Sequence, residues 1–364
     1  QVVEAFERGA QDAGIRRVTG TIMIDVHLFD ESYREAGTGT TVSPVAVNDN
    51  QIDIEVTAGA EPGDPITYRQ IPQSGYIRFI DRARTGASGG EPALRFSKEE
   101  LQTDGSRIVV ISGAAPRGSQ AMASIPVESP SRFARTLLVE ALTRIGVIVE
   151  GGLLGADTAE TETSTDAAVV AEHVSPRLGE ATRIVLKVSQ NLHSEMLIPV
   201  IGATLQGARG EQARLAGYAC CVELLKKWGV GTTGLFQGDA CGARGYFSPE
   251  FMSRLLVRAA SSDIYEELVY GLPVMGRDGT LWDIQPESPA AGKVRAKTGT
   301  LGFGDFLERS FLFTCKGLAG YVDAMSGRRI AFTLYLNNFL QPPGSGIDPG
   351  QVLGEIASAI FEYL

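Results

Sequence analysis

Three extended segments in quick succession near the C-terminal end constrain the fold most. They are VRAKTG at 294–299, then GLAGYVDA and RRIAFTLYLNN, the last two joined by Met325-Ser326-Gly327. Two strands about a short glycine-containing turn make a hairpin, and a strand upstream extends it to an antiparallel sheet. On the first strand the two-residue period puts Val294, Ala296, Thr298 and Thr300 on one face, and Arg295, Lys297 and Gly299 on the other. Helical segments flank the three: RLGEATRIVLKVSQNLHSEMLIPVIGATL, EQARLAGYACCVELLKKWG and SPEFMSRLLVRAA before, GQVLGEIASAIFEYL after. In the last, Val352, Ile356, Ile360 and Phe361 form the predicted buried stripe. This order predicts an α/β (α+β) domain over 166–364, its antiparallel sheet flanked by helices.

Residues 1–165 read differently. VTGTIMID, VNDNQIDIEVTAG, GYIRFIDRA, RIVVISG and QAMASIPV are short strand-like runs between Gly- and Pro-rich turns, with Ile52, Ile54 and Val56 alternating. They predict one or two small β-rich units. A helix follows at SRFARTLLVEALTRIG, with Phe133, Leu137, Leu138, Ala141 and Ile145 on one face and Gly146 as its C-terminal stop. After the strand-like VIVEGG comes LGADTAETETSTDAAVV, whose polar composition marks the expected domain boundary.

The 364 residues are 43% hydrophobic, enough for real cores, and carry a net charge of −10 with no basic cluster. Nucleic acid is excluded as a partner on that balance, and no apolar run reaches membrane-spanning length. Cys220, Cys221, Cys241 and Cys315 lack metal-ligand spacing and there are three histidines, so neither metal nor other cofactor is expected. Adjacent Cys220 and Cys221, about 100° apart on a helix, read as one buried and one partly exposed thiol. The disulfide status of the four is left open by the sequence. His27 and His173 have no acid at a diagnostic spacing and read as structural.

Lys297-Thr298-Gly299 on an edge strand forms a docking rail for a peptide ending in a carboxylate. The ammonium meets the anion, the threonine hydrogen-bonds it, and the glycine lets substrate backbone approach. Taken alone, the lysine is equally the solvated residue that guards an edge strand. Ser189-Gln190-Asn191, where one predicted helix meets the next, can aim a hydroxyl and an amide into a cleft; the bland alternative is an ordinary helix N-cap. Gly86-Ala87-Ser88-Gly89-Gly90 satisfies the nucleophile-elbow pattern but lacks its strand and helix flanks, and reads as a flexible turn.

In order along the chain, GIRRVTGTIMIDVHLFDE, SPVAVNDNQIDIEVTAGAEPGDP, VSQNLHSEMLIPVIG, LPVMGRDGTL and SPAAGKVRAKTGTL resemble the D-Ala-D-Ala carboxypeptidase/endopeptidase family, peptidase family S13, the class C low-molecular-mass penicillin-binding proteins. The resemblance implies a transpeptidase/beta-lactamase-like domain with β-rich domains inserted, here 1–165. It implies a serine-type D-Ala-D-Ala carboxypeptidase/endopeptidase that cleaves peptidoglycan stem peptides through an acyl-enzyme, outside the cytoplasmic membrane, and that reacts with beta-lactams wherever its nucleophile is present. Ser189 then joins the proton relay, Asn191 orients substrate, Lys297 and Thr298 bind the terminal carboxylate beside Gly299, and the Thr300 N–H is an oxyanion donor.

Three departures stand out. The family's nucleophile motif S-x-x-K occurs nowhere in the 364 residues, and Ser129-Pro130-Ser131-Arg132 cannot replace it, because arginine stays protonated. The resemblance puts that motif before the inserted domains, so the expectation is a chain lacking its nucleophile segment and inactive by itself. The alternative is a non-catalytic penicillin-binding-like module that holds cell-wall peptide. The loop Gly238 to Gly245 differs from the family's D-G-S-G-L-S, and FGDFLERSFLFTCKG makes a longer connection after the rail strand.

Overall fold

A computed structural model describes residues 2–102, 107–151, 167–305 and 307–364. The expected boundary at 165/166 lies outside the described residues. Contacts divide the chain into two compact units: Gln1–Val174 with Gly207–Arg214, and Ser175–Gln206 with Leu215–Leu364.

The first unit holds helix α1 (Val2–Asp12), strands β1 (Arg17–Val18), β2 (Gln51–Thr57), β3 (Thr67–Ile71), β4 (Arg78–Asp81), β5 (Arg84–Gly86), β6 (Ala93–Phe96), β7 (Glu100–Leu101), β8 (Arg107–Pro116) and β9 (Gln120–Pro126), helix α2 (Pro130–Arg144) and strand β10 (Ile148–Val149). β2 is central to an antiparallel sheet in the order β3-β2-β9, while β8 is paired by β4 and β5 in parallel and by β6 and β7 antiparallel. Ile52, Ile54 and Val56 are buried in alternation, as the period-two pattern predicts, and pack with Val109, Ile111, Phe133 and Leu137.

The predicted apolar face of α2 is split between two cores. Phe133 and Leu137 join the sheet core, whereas Leu138 and Ile145 pack with Ala10, Leu142 and Val147 beneath α1. Gly146 (φ 86°) ends the helix in a Schellman turn: its N–H reaches Thr143 O, and Val147 N–H reaches Leu142 O. Two expectations fail here. Residues 2–12 are helical, and of VTGTIMID only Val18, with Arg17 before it, joins a strand, because only those two find a partner, Ile148 and Val149. Ser88 lies in a bend with no helix after it, flanked by Gly89 and Gly90 at positive φ. His27 does face an acid, Asp25 Oδ1 at 2.8 Å, on the exposed surface.

The second unit contains α3 (Leu178–Val188), α4 (Asn191–Gln206), most of α5 (Glu211–Lys227), β11 (Leu235–Gln237), β12 (Gly245–Phe247), α6 (Pro249–Ala259), α7 (Tyr265–Gly271), β13 (Val294–Gly304), β14 (Phe311–Asp323), β15 (Arg329–Gln341) and α8 (Pro349–Tyr363). The predicted sheet forms in the order β13-β14-β15, fully antiparallel, with β13 at an edge and Gly327 (φ 81°) in the hairpin turn. Val294 and Ala296 are fully buried with Leu318, Phe332, Leu353 and Phe361. The stripe on α8 is rotated from the prediction: Leu353, Ala357 and Phe361 are buried, while Val352 and Ile356 are exposed. Gly354 explains the rotation, since a Cβ there would sit 2.4 Å from Ile284 Cγ2, so the small-residue face is the one that approaches closely. The segment read as a long connection is mostly ladder, β13 and β14 running out to Gly304 and Phe311 around a bulge at Leu301/Gly302.

Candidate active site

α3 ends where the glycine-like backbone of Ser189 (φ 59°, ψ 52°) turns the chain into α4. Its N–H bonds Val185 O, closing the helix as a C-terminal αL residue does. The N-cap role falls to neither motif residue: Gln190 Oε1 accepts from Leu192 N at 3.0 Å. Ser189 Oγ is therefore left for the sheet, where Lys297 Nζ donates to it at 2.7 Å and to Thr298 O at 2.7 Å. Two residues on, half-buried Asn191 opens α4 and its side-chain amide makes no hydrogen bond among the described residues. The structure thus brings Ser189 and Lys297 together across 108 residues of sequence.

A turn clamped onto α3 sets this arrangement. Asp278 Oδ1 accepts from Val274 N and, with Oδ2, from Lys187 Nζ at 2.6 and 2.7 Å. Gly279 (φ 60°) lies so close to Lys187 O that a Cβ would meet it at 2.6 Å. The same turn covers the start of β13, with Met275 N bonded to Val294 O and Ala296 N to Pro273 O. By strand alternation the N–H groups of Thr298 and Thr300 also point to this outer edge, beyond the end of the turn. Thr298 O on that edge is taken by Lys297. The Thr300 N–H remains on the open edge, where an oxyanion or a substrate carbonyl can accept it.

The opposite face of β13 carries the other hydroxyls. Thr298 Oγ1 pairs with Thr280 Oγ1 at 2.8 Å, and Thr300 Oγ1 accepts from Lys316 Nζ at 2.9 Å. Thr280, Thr298 and Lys316 line a small cleft of about 30 Å³ with Gly350 and Leu353. Gly299 is exposed, and a Cβ at that position would meet nothing within 4 Å, so the fold itself makes no demand for glycine there. Burial pushes the Lys297 amine down to about 8, with no neighbouring charge contributing.

Sequence reasoning passed over Thr280, Lys316 and Glu195. Glu195, one turn beyond Asn191 on α4, accepts from Ala240 N and Cys241 N at 2.8 and 2.9 Å, while Asp239 accepts from Gly242 N and Arg244 N. The altered Gly238–Gly245 loop is in this way fixed to the helix that bears Asn191. Glu195, Asp239 and Cys241 bring their ligand atoms within 4.8 Å of one another, but both carboxylates already hold backbone N–H groups, which makes the cluster a loop clamp. All four cysteines are free thiols, and Cys220 and Cys221 are both half-buried, not one buried and one exposed.

The family model described as D-Ala-D-Ala carboxypeptidase 3 (S13) matches residues 1–349. The chain belongs to peptidase family S13. Among relatives of this S13 chain, the D-alanyl-D-alanine carboxypeptidase of Actinomadura sp. (strain R39) is 30% identical over 385 aligned positions, covering 99% of the chain and 66% of the relative. Penicillin-sensitive carboxypeptidase A of Dictyostelium discoideum is 22% identical over 270 positions, covering 72% of the chain and 50% of the relative. The chain thus spans 66% and 50% of the length of these two curated relatives. The crystal structure of penicillin binding protein 4 from Haemophilus influenzae superposes with a TM-score of 0.75 at 17% identity, over 100% of this chain and 79% of that one. Its complex with a beta-lactam gives 0.73 at 17% identity, over 100% and 78%. The fold is that of a penicillin-binding protein: a transpeptidase-like sheet flanked by helices, with extra β-rich structure.

Proposed function

We propose that the protein is a serine-type D-Ala-D-Ala carboxypeptidase/endopeptidase of the cell envelope, acting on peptidoglycan stem peptides outside the cytoplasmic membrane. The observation that carries this reading is the 2.7 Å contact of Lys297 Nζ with Ser189 Oγ at the open edge of β13. Lys297 and the outward N–H of Thr298 seat the terminal carboxylate, Gly299 admits the peptide backbone, and the Thr300 N–H receives the scissile carbonyl oxygen. Ser189 passes a proton between Lys297 and the leaving amine, and Asn191 holds the substrate amide. The acylated serine is the S-x-x-K serine, which these 364 residues do not contain. Residues 1–165 are assigned to the inserted β-rich domains and 166–364 to the C-terminal part of the transpeptidase-like domain. Ile184 and Val188, one turn apart on α3 and 57% and 60% exposed, support a further element packing beside the site. Among the described residues no helix is long and apolar enough to cross a membrane.

Titration calorimetry with an N-acylated D-Ala-D-Ala peptide tests the rail. The free carboxylate is expected to bind at least about tenfold tighter than its C-terminal amide, a difference of ~1.4 kcal/mol, and Lys297→Met is expected to erase the preference. Equal affinity for the two peptides overturns the assignment. A second reading, a module that binds cell-wall peptide without cleaving it, is favoured by the altered Gly238–Gly245 loop, which Glu195 fixes to α4 through Ala240 N and Cys241 N. Fluorescent penicillin applied to the chain joined to whatever coding sequence precedes Gln1 separates the two. Label on an S-x-x-K serine there supports the enzyme, and a binding-competent protein that takes no label supports the module.

A further inference from the structure

The Ser189–Lys297 pair has the parts of a nucleophile with its base, apart from any relay role. Ser189 Oγ meets Nζ at 2.7 Å, and the other contact of Nζ is the Thr298 carbonyl. A neutral amine fits those two contacts: one N–H donates to Thr298 O while the lone pair receives the serine hydroxyl proton. No carboxylate pairs with Lys297 among the described residues, and burial disfavours its ammonium form. Ser189 is held in a left-handed backbone conformation that disfavours any side chain, and its hydroxyl does no capping. Both residues are half-buried and so within reach of a ligand. Among the described residues two donors of the oxyanion-stabilising type are uncommitted: the Thr300 N–H on the open strand edge and the Asn191 amide two residues along from Ser189.

From this geometry we infer that Ser189 and Lys297 form an acyl-transfer dyad of their own, with Ser189 Oγ attacking activated esters in the absence of any S-x-x-K serine. In the first step the Oγ–acyl carbon bond forms, the hydroxyl proton moves to Lys297 Nζ, and the ester's alkoxide or aryloxide leaves with the bonding electron pair. Lys297 returns that proton to the leaving group or to solvent. Water then adds to the acyl carbon, losing a proton to Nζ, and Ser189 Oγ departs and is reprotonated by Lys297. No oxidant, reductant or metal enters the balance. The low position of the lysine amine, produced by burial, leaves about a tenth of it as free base at pH 7 and about half at pH 8, so labelling should quicken as pH rises through 8. The dyad does not depend on the cell-wall reading: it needs no carboxylate on the ligand.

The test is reaction of the 364-residue chain with a fluorophosphonate probe, in which Ser189 Oγ displaces fluoride, followed by peptide mapping. Hydrolysis of p-nitrophenyl acetate is measured in parallel. The expected result is one labelled site, Ser189. Lys297→Met and Lys297→Arg should each slow labelling by about 100-fold or more, since neither side chain can accept the proton. Ser189→Gly, which suits the local backbone, should abolish the label while the tryptophan-monitored melt is retained. Absence of label from the wild-type chain, label on another residue, or an unchanged rate in Lys297→Met overturns the inference, and mapping of the wild-type chain alone decides if a variant fails to fold. Because the calorimetric preference for a carboxylate is read without any covalent step, loss of one result leaves the other standing.

Discussion

Replacing Ser189 by glycine and by alanine separates backbone strain from the hydroxyl's contact. Both changes delete the bond to Lys297 Nζ, so that loss cancels between them. What remains is the conformation, φ 59° and ψ 52°. A non-glycine residue there costs about 1–2 kcal/mol, which glycine relieves. Glycine loses about 0.5–1 kcal/mol more on folding through its freer unfolded chain. The balance favours Ser189→Gly over Ser189→Ala by about 0.5–1 kcal/mol, the reverse of the ~1 kcal/mol advantage alanine holds inside a helix. The chain's two tryptophans, Trp228 and Trp282, both lie in the second unit, so their fluorescence follows the unfolding of that unit. For a unit of this size the difference amounts to about 1–4 °C in melting temperature. An alanine variant as stable as the glycine variant, or more so, refutes the reasoning.

Lys297→Met should stabilise the second unit at pH 7 while removing the carboxylate preference, since it deletes a buried charge with no acid beside it. Because the folded amine sits near 8 and the unfolded one near 10.5, the unfolded chain binds more protons between those values, and wild-type stability should rise with pH across that window. The methionine variant should lack that component of the rise, which paired melts from pH 7.5 to 10.5 will read as a shrinking gap between the two proteins. Gly299→Val meets open space in the fold and should leave the melt within about 0.5 kcal/mol of wild type, yet weaken the D-Ala-D-Ala peptide by about tenfold or more by calorimetry. Gly354→Ala, despite alanine's helix preference, should cost about 1–3 kcal/mol in a denaturant titration, because its Cβ would fall 2.4 Å from Ile284 Cγ2 and 2.9 Å from Gln285 Cγ.

What is local in period or turn chemistry was legible in the residues alone. Alternation at Ile52, Ile54 and Val56, the Gly146 stop of α2, the Gly327 hairpin and the rail strand all formed as their residues dictate, since each is specified within a few positions. The sequence also supplied Ser189, Asn191 and Lys297 as candidates, because their motifs are contiguous triplets. Tertiary structure decided whatever needs a partner far along the chain. VTGTIMID has strand composition, but a strand is a pairing and only its first residue, with Arg17 before it, found one. The buried face of α8 was chosen by how closely Ile284 approaches Gly354, which no helical period reveals. Within the site, Thr280 reaches Thr298 and Glu195 holds the Ala240–Cys241 backbone through contacts that no spacing encodes. The nearness of Lys297 to Ser189, and the burial that loosens the lysine's proton, arise where α3, its clamped turn and the edge of β13 converge. A motif names the chemical groups; only packing sets their distance and the solvent left around them.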